Sequence, residues 1–270
     1  MGGITLVNPG SEIIREFYIG ETMYEGQLAM SGDTAGTGAN LQILDVAAEA
    51  DEDAKVPIAL VLGAVNQRTD YNATYQGSVS TYTVTSATMA ADEHRKDAAI
   101  VQAAIIRPYH TILRAPIYDG AYGTAIVDAV EDSGSSYTVY QDATYTLGAD
   151  VADDFGTMYI RSGANRGLDR ICTTFSNSTL NCTTTLKFPY ANAVGDKFTM
   201  CGLVEGYAHG YFGATANYID ADQALTNFIS IYVTKLNLEV SGQEYAEFMI
   251  WQHRHTHASD LRLKTDVEYL

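Results

Sequence analysis

Basic residues are scarce in this chain. It holds 16 Lys and Arg against 33 Asp and Glu in 270 residues, a formal net charge of −17. A surface this acidic repels phosphate backbones and anionic lipid, so the expected partners include no nucleic acid and no membrane. No apolar run has the length that spans a bilayer. The opening "MGGITLVNPG" lacks a basic stretch followed by an apolar one, so it does not read as a secretory leader. Leu6 stands where a myristoylation signal needs Ser or Thr. Cysteine is sparse as well. Cys172, Cys182 and Cys201 match neither a disulfide framework nor a zinc ribbon in count or spacing. Paired strands would bring Cys172 and Cys182 face to face, yet buried free thiols are the expectation. Asn72, Asn177 and Asn181 open N-x-S/T triplets, which matter only in a secreted chain. Neither a G-x-S-x-G elbow nor a phosphate-cradling glycine loop occurs. Cys201 and His209 as a nucleophile and base have only residue type behind them. The chain reads as no enzyme and as using no cofactor.

Proline (5) and tryptophan (1) are also rare, whereas Tyr reaches 19 and Gly 23. Tyr and Thr suit pleated, half-buried surfaces, and Gly supplies turns. The composition points to a β-rich protein.

Along the chain, strand character shows in "EIIREFYIG" (12–20), weakly in 23–30, at the start of 41–55, and in the apolar run "VPIALVLGAV" (56–65). It returns in the Ser/Thr/Tyr-rich 72–89. "AADEHRKDAAIVQAAII" (90–106) reads as a helix, with Asp92 and Glu93 at its start and Ala98, Val101 and Ile105 recurring on one face. A further helical turn or loop is expected over 221–228. Residues 156–204 carry the clearest β pattern. Four strands are punctuated by "SGANRG", "SNST" and "AVGD" at the short spacing of sandwiches and barrels. Residues 229–242 and 244–257 alternate strongly, and 261–270 end extended. The fold expected is mainly β: antiparallel sandwich or barrel-like domains with one or two short helices and extended terminal segments. Its divisions are an N-terminal arm (1–20), a β-rich domain with one short helix (21–130) and a β-sandwich-like domain (131–270).

"YEGQLAMSGDTAGTGANLQILDVAAEADEDAKVPIALVLGAV" (24–65) and "IRSGANRGLDRICTTFSNSTLNCTTTLKFPYANAVGDKFTM" (160–200) together resemble stretches of bacteriophage virion proteins. The likeness is to capsid decoration, or cement, proteins in particular. The shared features are turn chemistry: a small-residue loop before a P-I-A return strand, and an SGAN-G turn followed by VGD-x-F. The resemblance implies a structural protein on the capsid exterior, made in the host cytoplasm. It also implies the major capsid protein as partner, a symmetric homo-oligomer (a trimer is expected), and no catalytic residues. A tail-associated or adhesin-like glycan-binding module, and a tube- or shell-forming virion subunit, are the alternatives.

Two groups of residues are candidates for contacts. In "WQHRHTHASDLRLK" (251–264), His253, His255 and His257 would share one face of a strand. His253 and His255 could supply two metal ligands, but His257 would lie about 13 Å from His253, too far to join them. A wet β face or subunit contact is the expectation. Tyr207, Tyr211 and Tyr218 cluster in "GYAHGYFGATANY" (206–218), as a subunit interface or a sugar-binding face would require. The acidic stretches 51–55, 127–132 and 150–154 lack the calcium-loop pattern and read as solvated loops.

Overall fold

The computed structural model describes residues 3–7, 12–19, 23–31, 43–46, 57–64, 75–76, 79–82, 100–117, 126–143, 156–176, 180–212, 217–220 and 229–252. The first strands in chain order are β1 (Thr5–Leu6), β2 (Ile14–Ile19), β3 (Met23–Tyr24), β4 (Leu28–Ser31), β5 (Ile43–Val46), β6 (Ala59–Ala64), β7 (Tyr75–Gln76) and β8 (Val79–Tyr82). There follow β9 (Ile100–Ile105), β10 (Leu113–Pro116), β11 (Ile126–Val130), β12 (Val139–Asp142), β13 (Gly156–Ile160), β14 (Asp169–Ser176) and β15 (Leu180–Thr184). The last are β16 (Lys197–Cys201), β17 (Gly206–Phe212), β18 (Ile219–Asp220), β19 (Ile229–Asn237) and β20 (Tyr245–Gln252). Among the described residues there is no helix, so the mainly β expectation holds. The segment expected as a helix over 90–106 is corrected where it is described: 100–105 is β9. Residues 90–99 and 221–228 lie outside the described residues.

Strands β2, β5, β4, β6 and β9 close into a barrel, with β2 and β5 parallel and every other neighbour antiparallel. The correction at β9 has a packing cause. Val101, Ala103 and Ala104 are fully buried between β2 and β6, and that burial outweighs the helix propensity of an Ala-rich run. Beside the barrel lies a six-stranded sheet, ordered β1-β10-β20-β19-β17-β18. Alternation builds it, interrupted in β19 by register shifts at Ser230/Ile231 and Val233/Lys235. Ala246, Phe248 and Ile250 of β20 and Ile231 and Val233 of β19 are buried, and they share one core with barrel residues Leu28, Leu60 and Val61. The intervening Tyr245, Glu247, Met249, Trp251 and Tyr232 are half-exposed on the opposite face.

The segment expected as an arm is tied into this body. Thr5 and Leu6 pair with Arg114 and Leu113, and Ile4 is buried in the shared core. Ile4 N–H donates to Gly26 O at 2.8 Å, and Gly26 N–H to Val61 O at 2.9 Å. Gly26 has φ +81°, and a Cβ there would come within 2.8 Å of Gly3 Cα. Only glycine allows the two backbones so close.

Residues 126–201 form a second six-stranded sheet, ordered β11-β16-β13-β14-β15-β12, over a core of its own. Tyr140 is fully buried there, with the rings of Phe188 and Phe198 edge-on at 5.4 and 5.3 Å. Two of the turns read in 156–204, SGANRG and AVGD, occur as expected, with Gly163, Gly167 and Gly195 at positive φ; residues 177–179 of the third lie outside the described residues. Strand pairing crosses the expected boundary at 130. Strand β10 pairs with β20, so early and late segments share one sheet, and the second unit is inserted between them.

The thiol expectation is corrected. Cys172 and Cys182 form a disulfide, Cα–Cα 6.2 Å, with both residues buried. The β14–β15 register shifts at a bulge between Cys172 and Thr174, and the bond ties the two strands together across it inside the core. Cys201 alone is free.

Arg161 joins the two units. Its Nε donates to Leu238 O at 2.9 Å, Nη1 to Asp128 Oδ1, and Nη2 to Glu244 Oε1 at 2.5 Å. Ser241 Oγ donates to the other Asp128 oxygen at 2.6 Å.

Candidate functional site, an aromatic docking surface

The solvent face of the first sheet carries four aromatic rings in mutual contact. Tyr207 of β17 is the register partner of Tyr232 of β19, and their rings meet edge-on at 5.2 Å. Trp251 of β20 lies 5.0 Å from Tyr207 and 5.4 Å from Tyr232. Tyr109, in the turn before β10, closes the group edge-on to Trp251 at 4.9 Å. Such contacts hold the rings in place, yet Tyr207 remains 65% exposed and Tyr109 50%.

Tyr109 is built in at a cost. Its φ is +66°, a region that residues with a Cβ rarely occupy. The turn around it fixes the conformation. Tyr109 N–H donates to Ile250 O at 3.0 Å, Arg107 N–H to Thr111 Oγ1 at 2.9 Å, and Thr111 N–H back to Arg107 O at 3.0 Å. Backbone strain of this kind clusters at binding and active sites, which makes this surface the candidate site.

Along the same face lies Tyr245, with Arg114 Cζ 4.6 Å and Lys235 Nζ 5.7 Å from its ring centroid. Arg114 also pairs with Glu247 at 2.6 Å. Tyr, Trp, Met and Arg on an open β face are the residue types that dominate protein contacts.

The second unit has a loop region that exposes large apolar side chains, Tyr137, Leu186, Tyr190 and Val194, between 49% and 69% exposed. Beneath it, Glu131 is buried and its carboxylate accepts from Ser133 N and Oγ, Gly134 N, Gln141 N and Asn192 Nδ2, all at 2.7–2.9 Å. This corrects the reading of 127–132 as a solvated acidic loop. Five donors hold that carboxylate inside and freeze the loop around it.

The sequence candidates fare differently. Tyr207 is central to the aromatic surface. Tyr211 pairs with Asp220 in the β17–β18 ladder, and Tyr218 is half-buried just before β18. His253, His255 and His257 lie outside the described residues, as do the acidic stretches 51–55 and 150–154. Cys201 is buried in the first core, and burial pushes its thiol up to about 12, so it is no thiolate nucleophile at neutral pH. His209 pairs with Ser230 in the β17–β19 ladder. Among the described residues no His/Cys/Asp/Glu cluster has the makings of a metal site. Sequence reasoning missed Tyr109, Tyr232 and Trp251. The last two had a signal: Tyr232 alternates with buried Ile231 and Val233, and Trp251, the single Trp, continues the outward parity of β20. Tyr109 had none, because a left-handed Tyr in "RPYHT" leaves no pattern.

Comparison with known proteins adds no relative: no family model, no curated protein and no solved structure matches the chain.

Proposed function

We propose that this chain is a non-catalytic structural protein of a phage virion that binds the capsid exterior and bridges neighbouring capsid subunits. The observation that carries the reading is the aromatic surface of Tyr109, Tyr207, Tyr232 and Trp251, exposed on an open sheet and presented at the expense of backbone strain. An open face fits a broad protein surface. A bridging protein needs a second contact, and the apolar loops of the other unit supply one. Stable contacts of this kind bury roughly 1,200–2,000 Å² in total. The net charge of −17 opposes self-association away from such neutral patches. A homotrimer seated on the major capsid protein is the assembly we propose.

Co-sedimentation with capsids assembled from the major capsid protein of the same phage tests this. The wild-type chain should pellet with them, and Tyr207→Ala with Trp251→Ala should stay in the supernatant. Failure of the wild type to pellet overturns the capsid reading. The native mass, measured with and without chelator, tests the trimer; dissociation by chelator would turn attention to His253 and His255. The exposed ring of Tyr207 also favours a second reading, stacking on a sugar. Glycan-array binding that Tyr207→Ala abolishes, with no capsid binding, would replace the first.

A further inference from the structure

Two routes lead from the buried Cys172–Cys182 bond to the apolar loops. Along the chain, Cys182 is followed by Thr184, whose Oγ1 donates to Thr138 O at 3.2 Å and Leu186 O at 2.9 Å. Thr185 N–H donates to Ile171 O at 3.0 Å, beside Cys172. Through the core, Cys182 is the register partner of Tyr140. The Tyr140 ring meets Phe188, and its hydroxyl accepts from Asn165 Nδ2 at 3.1 Å. Asn165 in turn donates to Tyr190 O at 2.8 Å and accepts from Tyr190 N–H at 3.2 Å. The bond spans the irregular stretch of the β14–β15 ladder, where backbone pairing alone is weakest.

We infer that this disulfide is a redox clamp on the 185–195 loop: closed, it holds Leu186 and Tyr190 in one presentation, and open, it loosens that loop while the first unit stays folded. Its consequence for capsid binding rests on the reading above; the clamp itself does not. A chain made in a reducing cytoplasm keeps its thiols, and the bond closes on meeting a low-molecular-weight disulfide. One protein thiolate attacks that disulfide and releases a small thiolate; the other attacks the mixed disulfide and releases the second. The protein loses two electrons and two protons, and both pass to the two small thiols. The closed bond is then buried away from reductants. Cys201, in the other core, takes no part.

Thiol counting by alkylation in denaturant, followed by backbone hydrogen exchange on the full chain, tests the clamp. After exposure to oxidised glutathione one thiol should react, that of Cys201, and after reduction all three. Amides of 180–195 should exchange about tenfold faster or more in the reduced protein, while β17, β19 and β20 change less than about twofold. Cys172→Ala with Cys182→Ala should copy the reduced state. Three reactive thiols after oxidation, unchanged exchange over 180–195 on full reduction, or an equal rise in both units overturns the inference. Capsid binding is read separately, so each idea can fail alone.

Discussion

At the scale of single residues, Tyr109 joins a stability cost to an exposed ring. A Cβ at φ +66° is strained, and glycine is not. Tyr109→Gly should therefore be more stable than Tyr109→Ala by about 1 kcal/mol in urea melts, although both remove the ring. Equal stability would mean that the turn carries no strain. Tyr207, 65% exposed, carries no such backbone strain. Tyr207→Ala loses two edge-on ring contacts and should cost about 1 kcal/mol of stability, and on the proposed capsid reading it should weaken binding by about 2 kcal/mol, roughly thirtyfold. At Gly26 the cost is purely structural. Gly26→Ala adds a Cβ at positive φ against Gly3 and should cost about 2 kcal/mol or more, read as a lowered melting midpoint.

At the scale of elements, the contacts of Arg161 tie the two units together. Arg161 and Glu244 are 11% and 3% exposed at their side chains. Removing the guanidinium leaves the Glu244 carboxylate buried without its cation. Arg161→Ala should cost about 3 kcal/mol, and adding Glu244→Gln should recover part of it. If the double variant is no better than the single, the loss comes from packing instead. Asp128 adds a pH dependence. Burial acts to raise its carboxyl pKa, but hydrogen bonds from Ser241 and Thr199 and the Arg161 guanidinium outweigh that and hold it below the ordinary 3.8. A depressed folded value stabilises at neutral pH and is lost as the pH falls from 3.8 through the folded value. Asp128→Asn should flatten that part of the acid-denaturation curve, and an unchanged curve would remove Asp128 from the account. Strand β9 shows why one element was misread. The helical spacing of Ala98, Val101 and Ile105 is real in the sequence, but the barrel needs a strand of small buried residues between β2 and β6.

For the whole molecule, charge and the two cores set the behaviour. With net charge −17, folding works against self-repulsion. Raising ionic strength from about 0.01 M to 0.15 M shortens the screening length from about 30 Å to 8 Å and should raise the melting midpoint. A flat response would mean that the acidic groups are locally compensated, as Glu131 is. Trp251 reports on the first unit alone, because it is the single Trp and lies on that unit's sheet.

Much of the fold class was legible in the sequence. Strand periodicity, the glycines at 163, 167 and 195 and the alternation in β19 and β20 are local signals, and local signals suffice where a strand's two faces meet different solvents. The acidic charge and the prominence of Tyr207 were equally plain. Only the tertiary structure decided the rest, because it depends on residues far apart in the chain. It paired β10 with β20 across the expected boundary and made β9 a strand. It joined Cys172 to Cys182, where the count and spacing of the cysteines had pointed to free thiols. It also gathered Tyr109, Tyr207, Tyr232 and Trp251 from four separate segments onto one face, because neighbouring strands in a sheet need not be neighbours in sequence.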